Sequence, residues 1–308
     1  MGFDIGKIVG GAVNAGRNLV DKGRDVVENV VDKGQQVVGN VVDTTRDVFE
    51  TATEKVGDIA APVVDFVRGD SSDKVHDGKQ LYLDGSTRPA GAPLERDPSK
   101  PLVLQVNGIS TTLNGQMSAL KAVQAHTGAQ VIGVHNATEG MLRDLGQAAL
   151  DTANKGKNPA VDSLADTMYA ELEAGRPVHI MAHSQGGLIT SRAVEQVKQR
   201  LMMEGGMTSD QAEAKLQNVQ IESFGSAAPS WPDGPQYVHY VNRADPVPTA
   251  LGLGPGIPGV GNPGEGAQVR YFFQTDGAHN FNDTYLDQRV PFDQAYSGDF
   301  TQRGENRV

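Results

Sequence analysis

Residues 178–190 read VHIMAHSQGGLIT. The first six form a short apolar run bounded by Pro177 and Ser184, the pattern of a buried β-strand. From Gly187 onward the apolar residues Leu188, Ile189, Ala193, Val194, Val197 and Leu201 recur at helical spacing, which predicts a helix over 187–203. A strand therefore passes into a helix within a few residues, at Ser184-Gln185-Gly186-Gly187. So tight a turn needs small residues, because the two backbones approach closely. It also holds the serine in a strained conformation with its hydroxyl exposed at a helix N-terminus, where developing negative charge is favoured.

Working outward, the same alternation continues on both sides. LVLQV (102–106), QVIGV (130–134), VQIESFG (219–225), YVHYVN (237–242) and VRYFF (269–273) read as further strands. Helical stretches fall at 113–126, near 140–154 and at 161–174. Short apolar strands alternating with helices predict an α/β protein whose mostly parallel sheet is covered on both faces. QLYLDG (80–85) reads as one more short strand, at the edge of the sheet. The stretch EGGMTSDQAEAK (204–215) reads as an extended connection between helices.

A nucleophilic serine needs a base, and the base needs an orienting acid. Downstream of the serine, first an acid and then a histidine stand where they could play these parts. Past the strand YVHYVN comes Arg243-Ala244-Asp245-Pro246-Val247, and past VRYFF comes Gly277-Ala278-His279-Asn280-Phe281. Both sites follow a strand end, where loop residues project into a common region. Asp276 and Asp283 are rival acids, but they lie too close to His279 in the chain to suit a partner from another loop. Among rival histidines, His183 neighbours the serine and should point elsewhere. His239 lies within a strand as a packed residue. His135 ends a strand and lines the pocket, His179 begins the serine strand at its far end, and His76 and His126 fall outside the pattern.

His-Ser-Gln-Gly-Gly, the Asp-Pro-Val after a strand and the late histidine resemble the lipase branch of the α/β hydrolases, over roughly residues 101–300. Ala182 stands where that family's motif usually has glycine, as it does in some lipases of the superfamily. The resemblance implies an α/β-hydrolase fold, with Ser184 as nucleophile, His279 as general base and acid, and Asp245 orienting His279. It also implies an oxyanion hole built from the backbone N–H of Gln185 and a second one from the Asn107-Gly108-Ile109 turn, on Gly108 or Ile109. The Gly- and Pro-rich run LGLGPGIPGVGNPGEG (251–266) does not lead from a strand into a helix, so it is not a dinucleotide loop. Its place between acid and base suggests a lid or an acyl-contacting loop, with a disordered surface loop as the competing reading.

Composition narrows the chemistry. The chain has 308 residues and a formal net charge of −11 with no basic stripe, which argues against a nucleic-acid partner. Cysteine is absent, so disulfides, thiolate metal sites and a cysteine nucleophile are excluded. No cluster of histidines and carboxylates has ligand spacing, and no metal or other cofactor is expected.

The first sixty or so residues are different. From Ile8 to Ala61 they repeat every eleven residues, with Asn18, Asn29 and Asn40 in register and Asp21, Asp32 and Asp43 likewise. An eleven-residue period keeps an apolar stripe nearly straight along a helix. Val30, Val31, Val37 and Val38 then span an arc of about 130°. Lys22, Lys33, Lys55, Arg24 and Arg46 flank that arc, and the acids lie opposite. Such a layout resembles apolipoprotein-like repeats and suits a helix lying on a membrane or lipid-droplet surface. Gly23, Gly34 and Gly39 weaken its helix propensity; packing on the hydrolase domain or an unfolded arm are the competing outcomes.

The expected organisation is a helical arm (1–61), a Pro-rich connector (62–100) and a hydrolase domain (101–308). No signal peptide and no membrane-spanning run of about 18 apolar residues is expected. That points to a cytoplasmic or peripherally membrane-bound protein, or one exported by a non-classical route. The functional expectation is hydrolysis of lipid esters through an acyl-enzyme, as a lipase or phospholipase. An acyltransferase or thioesterase with the same residues, or an inactive lipid-surface scaffold, are the rival readings.

Overall fold

Eight strands form one sheet: β1 (Gln80–Leu81), β2 (Thr87–Arg88), β3 (Leu102–Val106), β4 (Gln130–Val134), β5 (Val178–His183), β6 (Val219–Phe224), β7 (Gln236–Asn242) and β8 (Gln268–Phe272). Their spatial order is β2-β1-β4-β3-β5-β6-β7-β8. From β4 to β8 every pairing is parallel. β1 is antiparallel to both β2 and β4. In this computed structural model the described residues are 74–108, 111–137, 158–254 and 261–301. The eleven-residue repeats, the helix expected near 140–154 and the middle of the Gly-Pro run lie outside them.

The six parallel strands are those expected from the sequence, with ends displaced by about one residue. All five residues of β3 are buried, because this strand lies in the middle of the sheet with helices on both faces. Successive side chains go to opposite faces. Leu104, Ile132 and Ile180 join Leu164, Met168, Ile189 and Val194 on one side. Val103, Val131 and Met181 join Leu120, Phe224, Tyr240 and Tyr285 on the other.

The helices are α1 (Leu113–Thr127), α2 (Pro159–Glu173), α3 (Gln185–Met203), α4 (Ser209–Leu216), α5 (Pro246–Ala250) and α6 (Phe292–Tyr296). Thr112 caps α1 by accepting from Gly115 N, and Gly128 ends it in the left-handed region at φ 66°. Asn158 caps α2 ahead of Pro159. Residues 204–215 do not form a continuous connection between helices. The chain breaks at Gly206, φ 64°, and Thr208 with Gln211 forms a capping box that starts α4.

QLYLDG is not one strand but the first half of a hairpin. Gly85 takes φ 85°, and the Asp84 carboxylate accepts from the Ser86 N–H and hydroxyl at 2.8 and 2.6 Å, so the chain turns back at Asp84-Gly85 into β2. The residues that follow are also tied down. The Gln130 side chain accepts from Asp97 N and donates to Glu95 O, both at 2.7 Å, and Arg96 pairs with Glu171. Part of the segment that composition marks as a connector is thus built into the sheet.

Candidate active site

The turn between β5 and α3 is the geometric origin of the site. Ser184 has φ 57° and ψ −123° and is the sole non-glycine with positive φ among the described residues. A non-glycine residue there costs on the order of 1–3 kcal/mol and persists only where its surroundings hold it. Here they do: Ser184 N–H donates to Phe224 O at 3.0 Å, and its carbonyl accepts from Gly187 N and Ala227 N at 3.1 and 3.0 Å. The glycines are needed for approach rather than for dihedral freedom. A Cβ on Gly186 would sit 2.4 Å from Val106 O, and one on Gly187 would sit 2.0 Å from Ser226 Oγ.

Two further side chains converge on this serine. His279 Nε2 lies 2.9 Å from Ser184 Oγ, and His279 Nδ1 lies 2.6 Å from Asp245 Oδ2. The carboxylate can only accept, so Nδ1 carries a proton and Nε2 is left free to receive the serine hydroxyl proton. Asp245 caps α5, with Oδ1 accepting from Val247 N at 2.9 Å. Its side chain is fully buried, whereas that of His279 keeps 13% of its surface exposed.

The loops that carry acid and base are joined by one side chain. Asn242, the last residue of β7, donates from Nδ2 to Gln274 O (2.7 Å) and Ala278 O (2.9 Å). Its Oδ1 accepts from Ala244 N (3.1 Å) and Gln274 N (2.9 Å). All four hydrogen-bonding positions of the amide are used, and they set the spacing between the turn ahead of Asp245 and the turn ahead of His279.

The expected oxyanion side is organised in the same way. Gln185 opens α3, where backbone N–H groups have no acceptor within the helix. Gly108 passes over the serine, so a Cβ there would fall 2.9 Å from Ser184 Cβ; Ile109 lies outside the described residues. Asn107 Oδ1 accepts from Asn136 N at 2.8 Å, and its amide nitrogen donates to Gly108 O and Asn136 O. Asn136 Nδ2 donates to Gln185 Oε1 at 2.6 Å, tying the turns after β3 and β4 to the start of α3.

The rival residues are placed away from these roles, with two corrections: His183 turns towards His279, and His135, expected to line the pocket, is fully buried. His183 does not point elsewhere. Its ring lies against that of His279 at 4.6 Å between centroids, and Nε2–H donates to the His279 carbonyl at 3.1 Å. Burial, helped by the neighbouring His279, pushes its pKa well below the usual histidine value, so it braces His279 as a neutral ring. His135 is fully buried and hydrogen-bonded to Gln116 at 2.7 Å. His179 meets the buried carboxylate of Glu222 at 2.8 Å. Burial alone would raise that carboxyl, but Arg289 and His179 outweigh it and hold it below its ordinary range. Neither Asp276 nor Asp283 replaces Asp245 at His279 Nδ1.

His239 is a core residue, donating from Nε2 to Pro263 O at 2.9 Å and facing Ser223 Oγ from Nδ1 at 2.7 Å. Burial lowers its pKa from 6.5 to about 4. Between those values the unfolded chain holds a proton that the folded chain lacks. Stability is therefore intact above about pH 6.5 and is lost as pH falls towards 4, by roughly 3 kcal/mol. The melting temperature of His239→Gln should show a flatter slope than the native chain across that window. Parallel slopes would show that His239 does not carry the effect.

The sheet order, the strained serine after β5 and an acid and a histidine following β7 and β8 define an α/β-hydrolase fold. No family model and no curated protein matches the chain. Among solved structures it is similar to dienelactone hydrolase from Anabaena variabilis, at 13% identity over 69% of this chain and 93% of that one, with a TM-score of 0.31. It is also similar to esterase PE8, at 15% identity over 72% of this chain and 96% of that one, with a TM-score of 0.32. Among the described residues no helix is long and apolar enough to cross a membrane, and no cluster of ligating side chains could hold a metal ion.

Proposed function

We propose that the chain is a serine carboxylic ester hydrolase working through Ser184, His279 and Asp245. The observation that carries this reading is the unbroken hydrogen-bonded path from Asp245 Oδ2 through the His279 ring to the hydroxyl of a serine held at φ 57°. Ser184 Oγ attacks the ester carbonyl carbon while His279 Nε2 takes its proton. The imidazolium then protonates the leaving alcohol as the carbon–oxygen bond breaks, and an acyl-serine remains. Water, deprotonated by the same nitrogen, attacks that ester, and the acid leaves with the serine restored. Asp245 holds the ring in the required tautomer and steadies its transient positive charge. Backbone N–H groups of Gln185 and of Gly108 or Ile109 receive the carbonyl oxygen as it gains charge.

Lipid esters are the substrate class we assign, as triglyceride or phospholipid. Two features support this: the lipase-like His-Ser-Gln-Gly-Gly turn and the charge layout of the repeats in 8–61, which suits a lipid surface. An alkyl phosphonofluoridate probe reacts preferentially with an activated serine. Incubated with the full chain, it should add one label, found on Ser184 by peptide mass spectrometry. Absence of label, or label on another serine, would overturn the assignment of the nucleophile.

A further inference from the structure

Asp245 is wholly buried, and the torsion that orients a carboxylate plane is broad and close to two-fold. The acid therefore needs external donors to aim one oxygen at His279. Val247 N–H supplies one, on Oδ1. The other comes from Tyr285, whose hydroxyl donates to Oδ2 at 2.6 Å, on the same oxygen that accepts from His279.

Several features serve this contact. Tyr285 ends a π-helical turn, Phe281–Tyr285, closed by Tyr285 N donating to Asn280 O at 3.2 Å. Such wide turns recur at functional sites because they rotate a side chain away from its regular helical position. Here the turn begins two residues after His279, so base and phenol are delivered by one segment. Gly225 makes room: it has φ 54°, and a Cβ there would lie 2.7 Å from the Tyr285 oxygen. Phe272 fixes the ring edge-on at 5.4 Å. The Asn242 N–H points at the phenol oxygen from 3.4 Å, which leaves the hydroxyl proton directed at Asp245.

We infer that Tyr285 is a positioning residue of the proposed hydrolytic site, holding the Asp245 carboxylate in the plane that presents Oδ2 to His279. The inference rests on the serine-hydrolase reading. Burial and the adjacent Asp245 push the phenol pKa far above its ordinary value, so the hydroxyl remains a donor throughout the working pH range. With the phenol gone, the carboxylate can rock about the Val247 contact, and the His279 ring loses its fixed acceptor.

The test is Tyr285→Phe in the full chain, which keeps the ring and its packing. With a p-nitrophenyl ester, kcat should fall roughly tenfold and KM should stay within about twofold, the size of effect expected for one hydrogen bond to a charged group. A role in packing alone would not move a second readout, the low-field proton resonance of His279 Nδ1–H, assigned by its loss in His279→Gln. In Tyr285→Phe that resonance should be displaced. A resonance at its native position, or a displaced one with native kcat, would overturn the inference. Repeating the resonance measurement in a Ser184→Ala background separates the two claims. If Ser184→Ala keeps more than about 1% of native turnover, the reading of Ser184 as nucleophile fails, while the resonance still reports whether Tyr285 holds Asp245.

Discussion

Ser184→Ala should lower kcat for ester hydrolysis by about 10⁶-fold while the protein remains folded. In the proposed mechanism the hydroxyl forms the covalent bond, and His279 is aligned to it at 2.9 Å. With Oγ removed, His279 could at best activate a water, which lacks the fixed position and orientation that the turn imposes on the serine. Stability should change little. The strained backbone is held by main-chain hydrogen bonds to Phe224, Gly187 and Ala227, and an alanine at φ 57° meets the same cost as the serine did. Initial rates with a p-nitrophenyl ester, paired with a thermal melt, check both halves. Residual turnover above about 1% of native, in protein that melts normally, would mean that another residue is the nucleophile.

Asp245→Asn should lower kcat by about 10⁴-fold with a smaller change in KM. The native carboxylate accepts three donors: Val247 N–H, the Tyr285 hydroxyl and His279 Nδ1–H. An amide offers one accepting oxygen in place of two, so one of its faces must present N–H to a donor. If the amide nitrogen faces His279, the ring must turn to the other tautomer. Nε2 then carries the proton and cannot take the one on Ser184. If it faces Val247 instead, two N–H groups confront each other in a buried site, at a cost on the order of 1–3 kcal/mol. Steady-state kinetics and a melt of the variant separate lost catalysis from lost folding. More than a tenth of native kcat would show that the Asp245 carboxylate is not required for turnover.

Legibility in the sequence varied with how local the cause was. The β5 strand and α3 could be read directly, because apolar spacing follows from local geometry and from burial on both faces. Ser184 stood out for the same reason: small residues packed into a strand-to-helix turn have few structural alternatives. Asp245 and His279 were reachable through chain order and their positions after strand ends. The edge hairpin was half visible. Asp84-Gly85 is a turn signal, but the strands it joins are two residues long, too short for alternation to register.

Other members of the site left no mark. Tyr285 sits in Phe-Asn-Asp-Thr-Tyr, a stretch without helical or strand periodicity, and its contact with Asp245 spans 40 residues of chain. Asn242 reads as the polar end of a strand; only the meeting of two loops makes its amide a clamp. His183 was expected to turn away because it is the serine's immediate neighbour in the strand-to-helix turn. Instead His279 arrives from 96 residues away and lies against its ring, with the two planes tilted by 37°.

By itself, then, the order of residues offered Asp245 and His279 as candidates through their places after strand ends, and determined the alternating strands and helices and the tight turn that holds Ser184. Those properties depend on backbone sterics and on apolar periodicity over a few turns or one strand. Tertiary structure alone decided how the three reach one another, at 2.6 and 2.9 Å, and which buried groups hold them there. The physical reason is range. A hydrogen bond forms only when its partners come within about 3 Å, and between residues distant in the chain that depends on how strands pair and loops close, not on any local preference.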